Sequence, residues 1–510
     1  VNADGPPVWL LRDARLGLTG QLVDLLIEDG IITRLVGRSR GAGPGQLAPS
    51  VGADRTPQIV ELDGRTVIPG LWDHHVHFDQ WSLTSQWVDL AGAAGPSDVV
   101  ALVRRRLASG APEPDLPLVG YGYRDGLWAE PPHRSHLDAV STDIPLVMAS
   151  GDLHQAWLNT AALRRYGFPP DGVGIVREDA WYPVMDDIRR VPDSVLDGWV
   201  ARAAAAAAAR GVVGVVDFES GDNLTSWPRR CAATAPRLRV RAAVWPDRLE
   251  AAIARGLRTG DPLPGTGGTV TMGPLKVITD GSLNTRTAYC VDPYPGLEGT
   301  GRSHGVLIVP PVDLVPLMRR AWSNGIETAI HAIGDLATTL VLDAFEEVGA
   351  LGAVEHAQLL SHADLPRFAR LQVAASIQPE HALDDRDVAD RYWAGRTGRS
   401  FPYRDLQLAG ARLALGSDAP VAPLDPWISL AAAVSRSRDG REPWHPEQEL
   451  DLATALAAST AVRRTEPRPD DVADLVVTEL DLTTANPEDL RTAAVAGTML
   501  GGEWTWRQGI

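Results

Sequence analysis

Apolar and polar positions alternate in two distinct ways along this chain. From about residue 196 to residue 418, short apolar runs bounded by Gly, Pro or Asp alternate with stretches of helical period. The runs at residues 212–218, 239–245, 270–279, 327–331, 353–356, 372–378 and 413–418 read as buried strands. The stretches at residues 196–210, 247–258, 312–324, 337–348 and 365–370 read as helices, the first carrying seven consecutive alanines. Strand–helix alternation with short links predicts a parallel sheet. Counting residues 67–72 as the first strand gives the eight that a closed barrel needs.

The two ends of the chain read differently. Residues 23–27 and 31–36 are strands flanking a turn at Glu28, Asp29 and Gly30, and residues 37–58, rich in Gly, Pro and Ser, are a loop. Residues 65–71 form a strand interrupted by Pro69 and Gly70. Residues 475–478 and 493–500 are strands near the C-terminus. Strands at both ends with helices between them predict a β-sandwich built from the two termini. The expected organisation is residues 1–66 and 460–510 for that sandwich and 67–430 for a (β/α)8 TIM barrel, an α/β fold. Residues 78–190 break the alternation and are expected to be an insertion after the first strand, a candidate lid. No internal repeat is visible.

Composition narrows the function classes. A chain of 510 residues with 44% hydrophobic content suits one large enzyme domain with an accessory domain. Basic residues number 48 against 65 acidic, a net charge of −17, which disfavours nucleic acid and anionic membrane as partners. The expected partner is a small-molecule substrate, and a homo-oligomer stays open. With Cys231 and Cys290 as the only cysteines, a disulfide framework is not expected and a Cys-rich zinc site is excluded. No stretch reads as a signal peptide or membrane span, so cytoplasm is the default expectation.

Candidate chemistry concentrates at the ends of the barrel strands. His75 and His77 follow the first strand, and a spacing of two puts both imidazoles on one face of an extended chain, where they can share a cation. Asp73 can orient one of them, its bland alternative being a solvated turn residue. Lys276 lies on the fourth strand, His331 ends the fifth, His356 the sixth and Asp418 the eighth. Each alone could be structural. Together they occupy the barrel end that carries catalytic groups in this architecture, and a buried unpaired lysine is costly. His154, Asp280, Arg286 and Gln378 are candidate substrate contacts, although ion pairing is at least as good a reading for Asp280 and Arg286. Trp81, Trp87, Trp128, Trp157 and Trp181 crowd the insertion, where packing is the commoner fate of a Trp. His74, His133, His136, His304, His362, His381 and His445 have no strand-end placement that singles them out.

These residues carry a resemblance. The run PGLWDHHVH at residues 69–77 resembles the first-strand motif of the amidohydrolase superfamily. The blocks around Lys276, His331, His356, Gln378 and Asp418 resemble the YtcJ-like amidohydrolases, the branch that includes N-substituted formamide deformylase. The run DLHQAWLN at residues 152–159 is similar to a block of that branch, with Leu153 where the branch usually has Gly. The resemblance spans nearly the whole chain, through the segment at residues 470–477. It implies a β-sandwich plus barrel and metal ligation by His75, His77, Lys276, His331, His356 and Asp418.

The chemistry expected of such a set is hydrolysis of a C–N bond, amide or N-formyl in type, by a metal-activated hydroxide. Asp418 would be the general acid/base. One or two divalent ions are expected, zinc first for His and carboxylate ligands. Lys276, if carboxylated by CO2, would bridge two of them. Two rivals stand beside this reading. A mononuclear deaminase of a heterocycle needs no ligand on the fourth strand, and an inactive metal-free scaffold should have lost ligands that are all present here.

Overall fold

The computed structural model describes residues 7–38 and 56–510. The expected loop at residues 37–58 therefore lies largely outside the described residues.

The barrel is present, with all strands parallel. Its strands are β1 (Leu71–Val76), β2 (Val212–Asp217), β3 (Arg239–Val244), β4 (Val270–Ile278), β5 (Thr328–Ala332), β6 (Gly352–His356), β7 (Ala374–Ile377) and β8 (Arg412–Leu415). They follow one another around an eight-stranded sheet in chain order. Helices Asn223–Ala233, Leu249–Ala254, Pro311–Trp322, Asp335–Val348, Leu365–Leu371, Tyr403–Leu408 and Pro426–Ser435 lie between the strands or after them. The near-continuous Val, Ile and Ala runs of β2, β6 and β7 are buried along most of their length, as expected of strands covered on both sides.

Closure occurs at the end of β1. The Asp418 N–H donates to the His75 carbonyl at 2.7 Å, and the His77 N–H donates to the Ala419 carbonyl at 2.9 Å. Gly416 permits this approach, because a Cβ there would lie 2.6 Å from the His75 nitrogen. Backbone pairing that closes the sheet thus runs through the candidate ligands themselves.

One boundary differs from the sequence reading. The strand expected at residues 67–72 is two strands. Thr66–Pro69 pairs antiparallel with Leu475–Thr478 in the terminal sheet, and β1 begins afresh at Leu71. The two meet at Gly70, where a Cβ would sit 2.4 Å from Val213 Cγ2, so only glycine lets the chain pass β2 so closely. His75 consequently lies within β1 rather than after it.

Both termini build a second sheet, also eight-stranded, in the same compact unit as the barrel. Trp9–Leu16 is its centre. It pairs with Leu22–Glu28 on one side and, in parallel, with Gln58–Glu61 and Thr66–Pro69 on the other. Val495–Leu500 and Glu503–Arg507 extend the sheet beyond Leu475–Thr478. Leu11, Leu25, Val60, Val67, Leu475 and Met499 form its core.

The insertion folds as a unit of its own, Asp79–Ala203. Its five-stranded sheet runs in the order Ile175–Arg177, Gln155–Leu158, Leu146–Ser150, Leu118–Tyr123, Val88–Asp89. Trp157 and Trp181 are fully buried in its cores, so for them the packing reading holds. Leu153 has φ 62°, in the left-handed region, which accounts for Gly being usual at that place in the branch it resembles.

Candidate metal centre

The strand-end residues converge. Rings of His75 and His356 lie 4.8 Å apart, those of His331 and His356 4.4 Å, and those of His75 and His77 5.8 Å. Asp418 Oδ1 lies 3.6 Å from His75 Nε2 and 3.5 Å from His77 Nε2. Lys276 reaches in from β4, its Nζ 3.3 Å from His75 Nε2 and 4.3 Å from the centre of the Phe218 ring. His75, His356 and Asp418 each offer a ligand atom within 4.8 Å of the others.

Each group is held from behind. His75 Nδ1 lies 2.6 Å from Glu355 Oε2, so an Nδ1–H donor to that carboxylate leaves Nε2 as the free lone pair facing Lys276 and Asp418. A carboxylate behind a ligand imidazole fixes its tautomer and raises its basicity. Asp73 acts on the backbone: its Oδ1 accepts the N–H groups of His75 at 3.1 Å and Ser417 at 2.9 Å, tying β1 to the segment after β8. Asp418 and His356 have φ of 58° and 75°. Left-handed backbone at two non-glycine residues is strain of the kind that clusters at functional sites.

Burial sets the protonation pattern. It pushes His75 and His356 well below the ordinary imidazole range, with the Lys276 ammonium adding to it, and His77 to about 4 and His331 to about 3. All four are therefore neutral at physiological pH, the form that binds a cation. Burial also lowers Lys276, against the pull of Glu355 and Asp418, and raises Asp418 to about 7.

The donor set fits a divalent cation. His356 Nδ1 is buried with no hydrogen-bond partner among the described residues, an expense that native structures rarely leave unmet. Neutral imidazoles with a carboxylate are borderline-soft nitrogen and hard oxygen donors, suited to zinc and its neighbours.

The other expected residues separate. Gln378 is buried beside the centre, its amide nitrogen 3.4 Å from His75 Nδ1. Asp280 is fully buried and accepts the N–H groups of Tyr289, Ile333 and Gly334, with His331 Nε2 3.4 Å from its Oδ1. Those bonds anchor backbone N–H groups and are not the ion pair offered as its alternative reading. Arg286 lies over the Tyr392 ring at 5.2 Å. His154 is exposed on the Asp79–Ala203 unit, its Nδ1 3.1 Å from Glu178.

Two residues escaped the sequence reading. Glu355 carries no signal of its own in the sequence, standing directly before the more conspicuous His356. His381, set aside for want of a strand end, lies in the first turn of the helix Pro379–Asp384 that follows β7. Its ring stacks on His356 at 6.0 Å and its Nε2 lies 3.8 Å from Asp418 Oδ2. The three-residue step from Gln378 at the end of β7 was the available signal.

An eight-stranded parallel barrel with imidazoles, a lysine and a carboxylate at the C-terminal strand ends has the architecture of a metal-dependent hydrolase. The family model for the amidohydrolase family matches residues 58–505, and the chain belongs to that family. It is 28% identical to YtcJ of Bacillus subtilis over 468 residues, 83% of this chain and 82% of that protein. It is 29% identical to the protein LONG AFTER FAR-RED 3 of Arabidopsis thaliana over 451 residues, 79% of this chain and 74% of that one. A segment of 150 residues, 28% of each chain, is 30% identical to N-substituted formamide deformylase of Arthrobacter pascens. Among solved structures, an uncharacterized metal-dependent hydrolase from Pyrococcus horikoshii is similar with a TM-score of 0.75 and 25% identity, covering 94% of this chain and 99% of that one.

Asp73→Ala should lower unfolding stability by about 2–5 kcal/mol, because two buried N–H groups lose their acceptor. Denaturant melts of the metal-free protein measure this. A loss below about 0.5 kcal/mol, the level of a neutral surface change, would mean that Asp73 does not clamp the closure.

Proposed function

We propose that this amidohydrolase cleaves a C–N bond of carboxamide or N-formyl type in a small molecule, with His75, His77, Lys276, His331, His356 and Asp418 holding one or two divalent ions, zinc first. The observation that carries the reading is the convergence of the neutral His75 and His77 imidazoles on Asp418, with Lys276 Nζ 3.3 Å from His75 Nε2. The partial likeness to N-substituted formamide deformylase supports the N-formyl class. A divalent ion bound there would polarise the scissile carbonyl and acidify a water. Asp418 would take a proton from that water and return it to the departing amine. Gln378 would orient the substrate beside His75, with Asp280 and Arg286 shaping the loops around it.

Lys276 deepens the proposal. Burial favours its neutral amine, the form that CO2 carboxylates with loss of one proton. The resulting carbamate would give a two-ion centre an anionic bridge. A second reading, a mononuclear deaminase, is favoured by one observation: the compact ligand set among the described residues is His75, His356 and Asp418, enough for a single ion.

Asp418→Asn should cut turnover by ~10²–10⁴-fold on any N-substituted formamide or carboxamide that the wild type hydrolyses. Near-normal turnover would refute its acid–base role. Lys276→Ala should lose at least one equivalent of metal in elemental analysis, with partial recovery in added short-chain carboxylic acid. Full metal content in that variant would overturn the bridge and leave the mononuclear reading.

A further inference from the structure

The opposite end of the barrel has chemistry of its own. Inward positions near the strand starts are small, with alanine at 329, 353, 374 and 414. Bulky branched side chains usually fill these layers in such barrels. Here they leave a cavity of 270 Å³, room for far more than a single water. Glu355 and Phe218, which both touch His75, also line it, so it ends directly beneath the candidate metal centre.

Three guanidinium groups guard this cavity. Arg241 comes from β3, Arg412 is the first residue of β8, and Arg463 follows the helix Leu452–Ala458. Arg241 lies on the Trp72 ring at 5.2 Å, and Arg463 donates one N–H to the Leu413 carbonyl at 3.0 Å. Among the described residues no ion pair neutralises any of the three. They converge on one volume: all three line the same cavity, together with His74. Glu327 and Glu355 are the carboxylates of the lining, so the guanidinium groups exceed them by one charge. Like charges gathered around a polar void, without a counter-charge for each, form a receptor for an anion.

We propose that the N-terminal mouth of the barrel is an oxyanion site, taking a phosphate-type or carboxylate group between Arg241, Arg412 and Arg463. Guanidinium donors match both groups with paired, charge-assisted hydrogen bonds. The alanine layer supplies the space, and His74, in the same lining, can add a further hydrogen bond. The site is separate from the reading of the metal centre and stands or falls without it.

The test is thermal melting of the metal-loaded protein in potassium phosphate, potassium acetate and potassium chloride at matched ionic strength and neutral pH. A ligand that binds only the folded state raises Tm with its concentration. Phosphate or acetate should raise Tm saturably by several degrees over chloride. The salt that does so identifies the group, phosphate-type or carboxylate. The Arg241→Gln/Arg412→Gln double variant should lose the effect, and His75→Ala, which leaves all three guanidinium groups in place, should keep it. Selenate soaked into wild-type crystals should give an anomalous peak among the three guanidinium groups, a readout independent of whether the double variant folds. Equal shifts in chloride, an undiminished shift in the double variant, loss of the shift in His75→Ala, or no selenate peak would each overturn the proposal.

Discussion

The structure depends on closing an eight-stranded barrel between its first and last strands at the place where it also needs reactive side chains. A parallel sheet has unpaired N–H and C=O groups along both edges, and closure alone removes them. Here the closing bonds come from His75, His77, Asp418 and Ala419. The carboxylate of Asp73 braces that seam by accepting N–H groups from both sides. A single set of backbone contacts therefore fixes the sheet and brings Asp418 to within 3.6 Å of the His75 and His77 imidazoles. Gly416 and Gly70 are the spatial conditions for it, one at each end of β1, where any side chain would collide.

The same seam buries an expensive collection of ionisable groups. His75, Lys276, Glu355, His356 and Asp418 are each almost fully shielded from water. Shielding drives each toward its neutral form: imidazoles and amine down, carboxyls up. A core built for stability alone would fill this space with apolar side chains. What the arrangement gains is a dry set of lone pairs, with Glu355 orienting His75, on which a cation's charge would be only weakly screened. Such preorganisation is what metal-assisted hydrolysis asks of a protein.

Much of this was legible in the sequence, and the misses have physical causes. Strands β2 to β8 announce themselves as apolar runs between turn residues, and the histidines, Lys276 and Asp418 mark their ends. The division at Gly70 was not legible, because a Pro-Gly step inside an apolar run looks the same whether one strand bends or two strands abut. The contact with Val213 that decides it is remote in sequence. Glu355 and His381 were missed because their roles rest on contacts with His75, His356 and Asp418, and pairing across a barrel leaves no local pattern. The short strands of the insertion, some of only two or three residues, fall below the length at which alternation can be read.

The most direct test of the account is the metal content of the purified protein after loading with zinc and removal of excess ion. Elemental analysis should find one or two equivalents in the wild type and a loss of at least one in His356→Ala, whose buried Nδ1 otherwise has no partner among the described residues. A wild-type protein that holds no stoichiometric divalent ion under these conditions would contradict the claim that this seam was built to hold one.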